Sequence, residues 1–226
     1  MSCRLAEAGF AVASIEYRPI AEANYKEIIG DVKAAVRFLR AHADEWKIDR
    51  DRIAVMGASA GAYLSVMTGV TGGVEKFDFG ENLDQDSSVQ AVVDFFGPTD
   101  LTEIAADYPE GKQRIYASPG SPASFLVNGA AVYKGNRGGS ILDTLETARD
   151  ANPLSYIGDN TPPFLIMHGN ADTTISPSQS KLLYEALQEK GVYAEYYIVD
   201  GGEHRFKYVY QPKAFQIIVN FLKRVL

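Results

Sequence analysis

The sequence predicts an α/β protein, a mostly parallel sheet with helices on both faces. Three observations predict it. Short apolar runs rich in β-branched and aromatic residues alternate with longer runs of helical spacing along the whole chain, the pattern of strands joined by helical crossovers. One junction, Arg52 to Leu64, sets the turn Gly57-Ala58-Ser59-Ala60-Gly61 between an apolar run and a helical one. The 226 residues, 46% of them hydrophobic, are enough for one substantial core. No linker, repeat or low-complexity tract divides them, so residues 1–226 read as a single domain.

Taken in order, Met1 to Gly9 looks like the tail of a helix closed by a glycine. Phe10 to Tyr17 is a buried strand by length, apolarity and flanking Gly9 and Pro19. Tyr25 to Ala43 places Ile28, Val32, Ala35, Val36 and Leu39 on one helical face, with His42 on the polar surface at its end. Ile53 to Met56 is the second strand. The helix after Ser59 runs to about Gly69. Thr71 to Ser88 is a polar loop, and Val89 to Phe96 the third strand, ended by Gly97-Pro98.

Residues 101–150 are the least regular part. Prolines and glycines interrupt them, and Phe125, Leu126, Val127, Val132 and Tyr133 are scattered among them. A segment of this kind is a lid or pocket wall, or a surface excursion with a small helix. A short helix is expected over Leu142 to Arg149. Pro163 to His168 is the fourth strand. Ser176 then caps a helix with Pro177 at its first position and Gln179 closing a capping box, and that helix stops at Gly191. Ala194 to Val199 is the last strand, and Phe215 to Leu226 a C-terminal helix.

In a parallel sheet, ligands bind beyond the C-terminal ends of the strands. Ser59, Asp172 and His204 stand there, after the second, fourth and fifth expected strands. A glycine-bounded turn of the form G-x-S-x-G pushes a serine hydroxyl out of the sheet. The amide of Ala60, at a helix start, faces a developing oxyanion. A serine is a weak nucleophile alone. His204 can take its proton, and Asp172 can fix the imidazole tautomer and stabilise the imidazolium. The competing readings are Ser59 as an ordinary helix cap, Asp172 as a loop acid and His204 as a surface histidine. Three residues in the chain order Ser, Asp, His at three strand ends favour the joint reading.

Six stretches carry a resemblance: Gly9 to Arg18, Asp31 to Arg40, Gly57 to Gly61, Phe96 to Asp100, Pro162 to Asp172, and Gly202 to His204. Together they resemble the esterase/lipase branch of the α/β-hydrolases. Within it they are most similar to bacterial acetyl-, acetylxylan- and feruloyl-esterase-like proteins. The resemblance implies an α/β-hydrolase fold and hydrolysis of small acyl or aromatic-acyl esters, including esters on plant polysaccharide, through an acyl-enzyme on Ser59. It makes His168 and Asp100 structural neighbours. Family members begin with further strands and an H-G-G loop that supplies a second oxyanion donor, and no His-Gly-Gly occurs in this sequence. The chain therefore reads as an N-terminally shortened member. Loss of such a donor costs about 10²–10³ in rate, and the lost strands would leave an exposed sheet edge through which copies could associate. The rival readings are a peptidase of the prolyl-oligopeptidase kind and a weakly active or inactive homologue that binds a partner.

Composition narrows the rest. Net charge is −7 with no basic block, which argues against nucleic acid as a partner. The single cysteine, Cys3, forms no internal disulfide, and His42, His168 and His204 lack metal-ligand spacing. No glycine pattern reads as a nucleotide loop, so no cofactor is implied. No membrane span or leader is legible, so the chain as given reads as cytoplasmic, or as secreted if a leader precedes it.

Overall fold

The computed structural model describes residues 1–129 and 138–226. Among them, helix α1 (Ser2–Glu7) leads through Gly9, at φ 96°, into an irregular run, and α2 (Tyr25–Ala41) and the short α3 (Ala43–Trp46) follow. Strand β1 (Ala54–Ala58) feeds α4 (Ala60–Val70), and β2 (Ala91–Phe95) ends at the entrance to the irregular segment. That segment holds α5 (Glu110–Ala117), α6 (Pro122–Asn128) and α7 (Leu145–Asp150). Then come β3 (Phe164–Gly169), α8 (Ser178–Glu189), β4 (Ala194–Val199) and α9 (Pro212–Val225).

The four strands form one parallel sheet in the order β1-β2-β3-β4, in register Gly57↔Asp94, Asp94↔Ile166 and Ile166↔Tyr196. Strands β2 and β3 are buried throughout, as central strands covered on both faces must be. The two-residue period divides their side chains. Ala91, Val93, Phe95, Leu165 and Met167 pack against Ile218, Phe221 and Leu222 of α9 and Leu5 of α1. Val92, Phe164 and Ile166 pack against Val66 and Val70 of α4 and Leu183 and Leu187 of α8. Asp94 and His168 share this second face by parity. Among the described residues, no helix is long and apolar enough to cross a membrane.

Four expectations need correction. Phe10 to Tyr17 forms no strand, and Val12, Ile15 and Tyr17 stand 39–41% exposed. Its composition suits a pleated surface, but a strand also needs a ladder partner, and β1 pairs with β2 alone among the described residues. Arg18, just beyond, is pinned by bonds to both Asp31 carboxylate oxygens, at 2.8 Å from Nη2 and 3.0 Å from Nε.

Second, Ser176 does not cap α8. Its hydroxyl accepts from the Asp107 amide at 2.9 Å, while Gln179 accepts from the Thr99 and Asp100 amides, both at 2.8 Å, and donates to the Glu103 carbonyl. Both side chains are spent holding the segment after β2, so α8 starts one residue later, at Ser178. Third, the expected 142–149 helix splits at Thr144 into a 3₁₀ turn over Ile141–Asp143 and α7. The Ser140–Asp143 capping box closes the first turn before the second begins. Fourth, Phe215 is only partly buried, and Phe221 takes the deep position on α9. Val132 and Tyr133, expected among the apolar patches, lie outside the described residues.

Helix α2 is set by a capping box in which Asn24 accepts from the Lys26 and Glu27 amides and Glu27 returns a bond to the Asn24 amide. Its apolar stripe faces the core, but Lys33 and Arg37 are buried as well, at 0% and 1% exposure. Lys33 Nζ donates to the carbonyls of Thr71 (2.8 Å) and Val74 (3.2 Å) and to Asp78 Oδ2 (3.1 Å). Arg37 donates to Asp78 Oδ1 at 2.7 Å and to the Phe79 and Glu81 carbonyls. Two buried cations thus lash the 71–88 loop to the helix through one carboxylate. Asp78→Ala removes the counter-charge of both. Urea denaturation should show a loss of about 3 kcal/mol, the low end for breaking a buried pair because the Asp78 side chain keeps 21% exposure. A loss below about 1 kcal/mol would mean that the carbonyls alone hold the cations.

Candidate active site

The turn after β1 is a strained one. Ser59 sits at φ 55°, ψ −120°, a region that costs a non-glycine residue of order 1–3 kcal/mol. Its hydroxyl makes no bond to the first turn of α4, which removes the helix-cap reading. The Ser59 amide donates to the Phe95 carbonyl at 2.9 Å and the Tyr63 amide to the Ser59 carbonyl at 3.0 Å, so β2 and α4 hold the turn from both sides. A Cβ at Gly57 would lie 2.3 Å from the backbone carbon and oxygen of Gly61. Strand and helix meet there only because residue 57 is a glycine. Gly61 has open space where a Cβ would go, so its own lack of a side chain is not what allows the approach.

Two more loops converge on Ser59. Asp172 follows β3 and His204 follows β4, and the loops interlock at Gly169 and Gly202. A Cβ on Gly169 would fall 2.1 Å from the Gly202 carbonyl oxygen. The Ala171 amide donates to that same oxygen at 2.9 Å. His204 Nδ1 lies 2.7 Å from Asp172 Oδ2, and His204 Nε2 lies 2.9 Å from Ser59 Oγ. The carboxylate takes the N–H at Nδ1, leaving Nε2 to accept from the serine hydroxyl. The three sequence-predicted residues are therefore in one hydrogen-bonded chain. With the sheet at four strands, they follow its first, third and fourth strands. Ala60 is the first residue of α4, where backbone N–H groups have no intrahelical acceptor.

Asp172 is 4% exposed, and four donors saturate it. Oδ1 accepts from the Thr174 amide (2.7 Å) and the Ile175 amide (3.1 Å), and Oδ2 from His204 and, at 3.1 Å, from His168 Nε2. Burial works against the charge. The bonds from His168, His204 and the Thr174 amide outweigh it and hold the carboxyl well below the ordinary aspartate range. The group is ionised at neutral pH. Asp100 takes no part in this chain; it accepts from the Thr102 amide and hydroxyl and from Asn152. His42 stacks on Trp46 at the far end of α2.

Phe96, at φ 48°, lays its ring edge-on to His204 with centroids 4.7 Å apart. Beneath it, Asp94 is fully buried. Oδ1 accepts from the Gly97 amide at 2.8 Å, while Oδ2 has no partner among the described residues. Burial pushes this carboxyl up to about 6, against the opposing pull of the Gly97 amide and His168. A folded-state midpoint above the unfolded one near 3.8 means that ionising Asp94 weakens the fold. Stability falls as pH rises from about 4 through 6, by roughly 3 kcal/mol in all. Asp94→Asn should therefore melt higher than wild type at pH 8, with the gap closing as pH drops below 6. Equal melting temperatures at pH 8 would refute the assignment.

A cleft of about 490 Å³ opens beside the serine, lined by Ser59, Ala60, Tyr63, Leu101, Ile104, Tyr116, Leu126 and Ile175 among others. Tyr17 and Ile20 line it as well, and among the described residues no lysine, arginine, aspartate or glutamate does. Sequence reasoning missed Tyr17, whose run reads as a buried strand, and Tyr63, which reads as one more apolar residue of a helix. It also gave His168 no share in the carboxylate. The one signal for that was the four-residue spacing of His168 and Asp172 across a strand end.

Comparison with known proteins adds the following. The model of the BD-FAE family matches residues 1–187, a stretch that includes Ser59 and Asp172 and stops short of His204. Esterase LipC of Mycobacterium tuberculosis is 32% identical over 185 residues, 82% of this chain and 42% of that protein. The probable carboxylic ester hydrolase LipM of the same organism is 30% identical over 195 residues, 84% of this chain and 41% of that protein. The chain thus spans about two-fifths of the length of the curated relatives it matches. Among solved structures, a truncated carbohydrate esterase from gut microbiota is 28% identical, with a TM-score of 0.84 over 96% of this chain and 75% of that one. A bifunctional GH43-CE protein of Bacteroides eggerthii is 31% identical, again with a TM-score of 0.84, over 98% of this chain and 28% of that one.

Proposed function

The chain belongs to the BD-FAE family, and from that premise we propose that it is a carboxylic-ester hydrolase with Ser59 as nucleophile. The observation that carries the reading is the chain from Ser59 Oγ to His204 Nε2 (2.9 Å) and from His204 Nδ1 to Asp172 Oδ2 (2.7 Å). His204 takes the hydroxyl proton as Ser59 Oγ bonds to the ester carbonyl carbon. The carbonyl oxygen becomes an oxyanion, facing the Ala60 amide. His204 then passes the proton to the departing alcohol oxygen, leaving an acyl group on Ser59. Water repeats the sequence, with His204 again removing and returning one proton, and releases the carboxylic acid. Asp172 stays ionised throughout and carries no proton in either half.

The cleft supports a neutral, apolar acyl group. Among the described residues its lining has no charged side chain, and its volume of about 490 Å³ exceeds what an acetyl group fills, leaving room for longer or aromatic acyl groups. Leu101, Ile104, Ile115, Tyr116 and Leu126 line it, which supports reading the 101–150 segment as a pocket wall. The similarity to carbohydrate esterases supports a sugar hydroxyl as the alcohol. A fluorophosphonate probe tests the mechanism. It should label wild type at Ser59 and leave Ser59→Ala unlabelled, and absence of labelling in wild type at pH 8 would sink the reading. Among aryl esters, butyrate or hexanoate should be hydrolysed faster than a succinate half-ester, whose free carboxylate would be desolvated in the cleft.

A further inference from the structure

We infer that His168 is a positioning residue of this site, donating from Nε2–H to Asp172 Oδ2 so that the carboxylate keeps the orientation and basicity that His204 requires. The inference rests on the assignment of Asp172 and His204 above.

His168 is the fifth residue of β3, on the α8 face of the sheet, and its side chain is fully buried. A histidine there is expensive unless both ring nitrogens are satisfied, and both are. Nε2 faces two acceptors, Asp172 Oδ2 at 3.1 Å and the Ile175 carbonyl at 3.3 Å. Neither can donate to it, so Nε2 carries the proton. Nδ1 lies 2.7 Å from Ser180 Oγ on α8, and the serine hydroxyl donates to it. The ring is thereby clamped from α8 with its N–H aimed at one oxygen of Asp172. An apolar side chain would serve strand packing as well as an imidazole. Tautomer and aim matter only to the acceptor.

That acceptor is shared. Oδ2 takes N–H bonds from two imidazoles, at 2.7 Å from His204 and 3.1 Å from His168. The His168 bond does two things. It blocks rotation of the carboxylate away from His204. It also draws charge from Oδ2, which weakens the stabilisation of a protonated His204. The other ionisable neighbours do not duplicate it. Asp94 faces His168 from β2 and bonds the Gly97 amide. Tyr108 and Tyr116 feel the Asp172 charge from the segment over the cleft, and burial raises both phenols, so they stay neutral in the working range. Glu203, next to His204, turns outward to Arg205 at 3.4 Å and Lys207 at 4.0 Å.

The test is the titration of His204 by imidazole NMR in wild type, His168→Leu, His168→Gln and Ser180→Ala, alongside the pH profile of aryl-ester kcat/KM. In His168→Leu the His204 midpoint should move to higher pH. The acid limb of the profile should move with it, and kcat should fall roughly 10- to 100-fold, the worth of one charge-assisted hydrogen bond. His168→Gln, whose amide can donate from nearly the same place, should restore the midpoint and most of kcat. Ser180→Ala, which frees the ring without touching Asp172, should shift the midpoint in the same direction by less. An unmoved His204 midpoint in His168→Leu overturns the inference. If that variant does not fold, an unmoved midpoint in Ser180→Ala does so. The NMR readout needs no turnover. A wild type no more active than Ser59→Ala therefore refutes the esterase reading and leaves the His168 result to be judged separately.

Discussion

Ser59→Ala lowers kcat/KM for a short-chain aryl ester by about 10⁴-fold or more, while the protein stays folded. The rate loss follows from the geometry. His204 Nε2 is aimed at the Ser59 hydroxyl at 2.9 Å, and an alanine leaves it nothing to deprotonate on the enzyme. Nucleophile removals in serine hydrolases fall in the range of 10⁴- to 10⁶-fold. The fold should tolerate the change because the hydroxyl caps no helix. Its bond to His204 is partly exposed, and the strained backbone is the same for either residue. Unfolding free energy should change by no more than about 1 kcal/mol. Parallel rate and urea-denaturation measurements on one preparation decide it. Residual activity within tenfold of wild type would move the chemistry away from Ser59.

Gly169→Ala is expected to damage stability and activity together. The added Cβ would stand 2.1 Å from the Gly202 carbonyl oxygen and 2.3 Å from the Gly202 carbonyl carbon. These are backbone atoms held in their own turn, so no flexible side-chain end can give way. The loops after β3 and β4 must separate. Overpacking of this kind costs about 3 kcal/mol, visible as a lower urea midpoint. Those loops also carry Asp172 and His204, and a separation near 1 Å costs about 10²-fold in rate. The folded fraction of the variant should therefore show a kcat reduced by about that much. Full kcat per folded molecule would mean that the two loops move as a unit.

The parts of this molecule that were legible in its sequence are those fixed by local chemistry. The turn at Ser59 announces itself because its strand, its glycine and its helix lie within a dozen residues. Asp172 and His204 are readable because each ends an apolar run and parallel strands deliver their loops to one edge. The four paired strands were found for the same reason. What was not legible depends on neighbours distant in sequence. Phe10 to Tyr17 has the composition of a strand, but strand formation is decided by a partner that composition does not reveal. Lys33 and Arg37 look like the solvated side of an amphipathic helix until the 71–88 loop folds over them. The Ser176-Pro177-Ser178-Gln179 capping pattern was sound locally and lost to tertiary demand, since the amides of Thr99, Asp100 and Asp107 took both side chains. His168 reads as one more strand residue because its donor role requires the Ser180 clamp and the Asp172 loop together.

The order of the strands has a consequence for when this protein can work. Ser59 and His204 are 145 positions apart along the chain, and β4, which leads to His204, is the last strand to be made and lies at one side of the sheet. The elbow can form as soon as β1, β2 and α4 are in place, from contacts of modest sequence separation. His204 arrives only when the chain has closed its longest loops, the slow part of folding a parallel sheet. On the proposed mechanism, a growing or partly refolded chain is thus catalytically silent even with Ser59 already bent into shape. Recovered turnover reports the last docking event, and should lag the recovery of helix measured by far-ultraviolet circular dichroism.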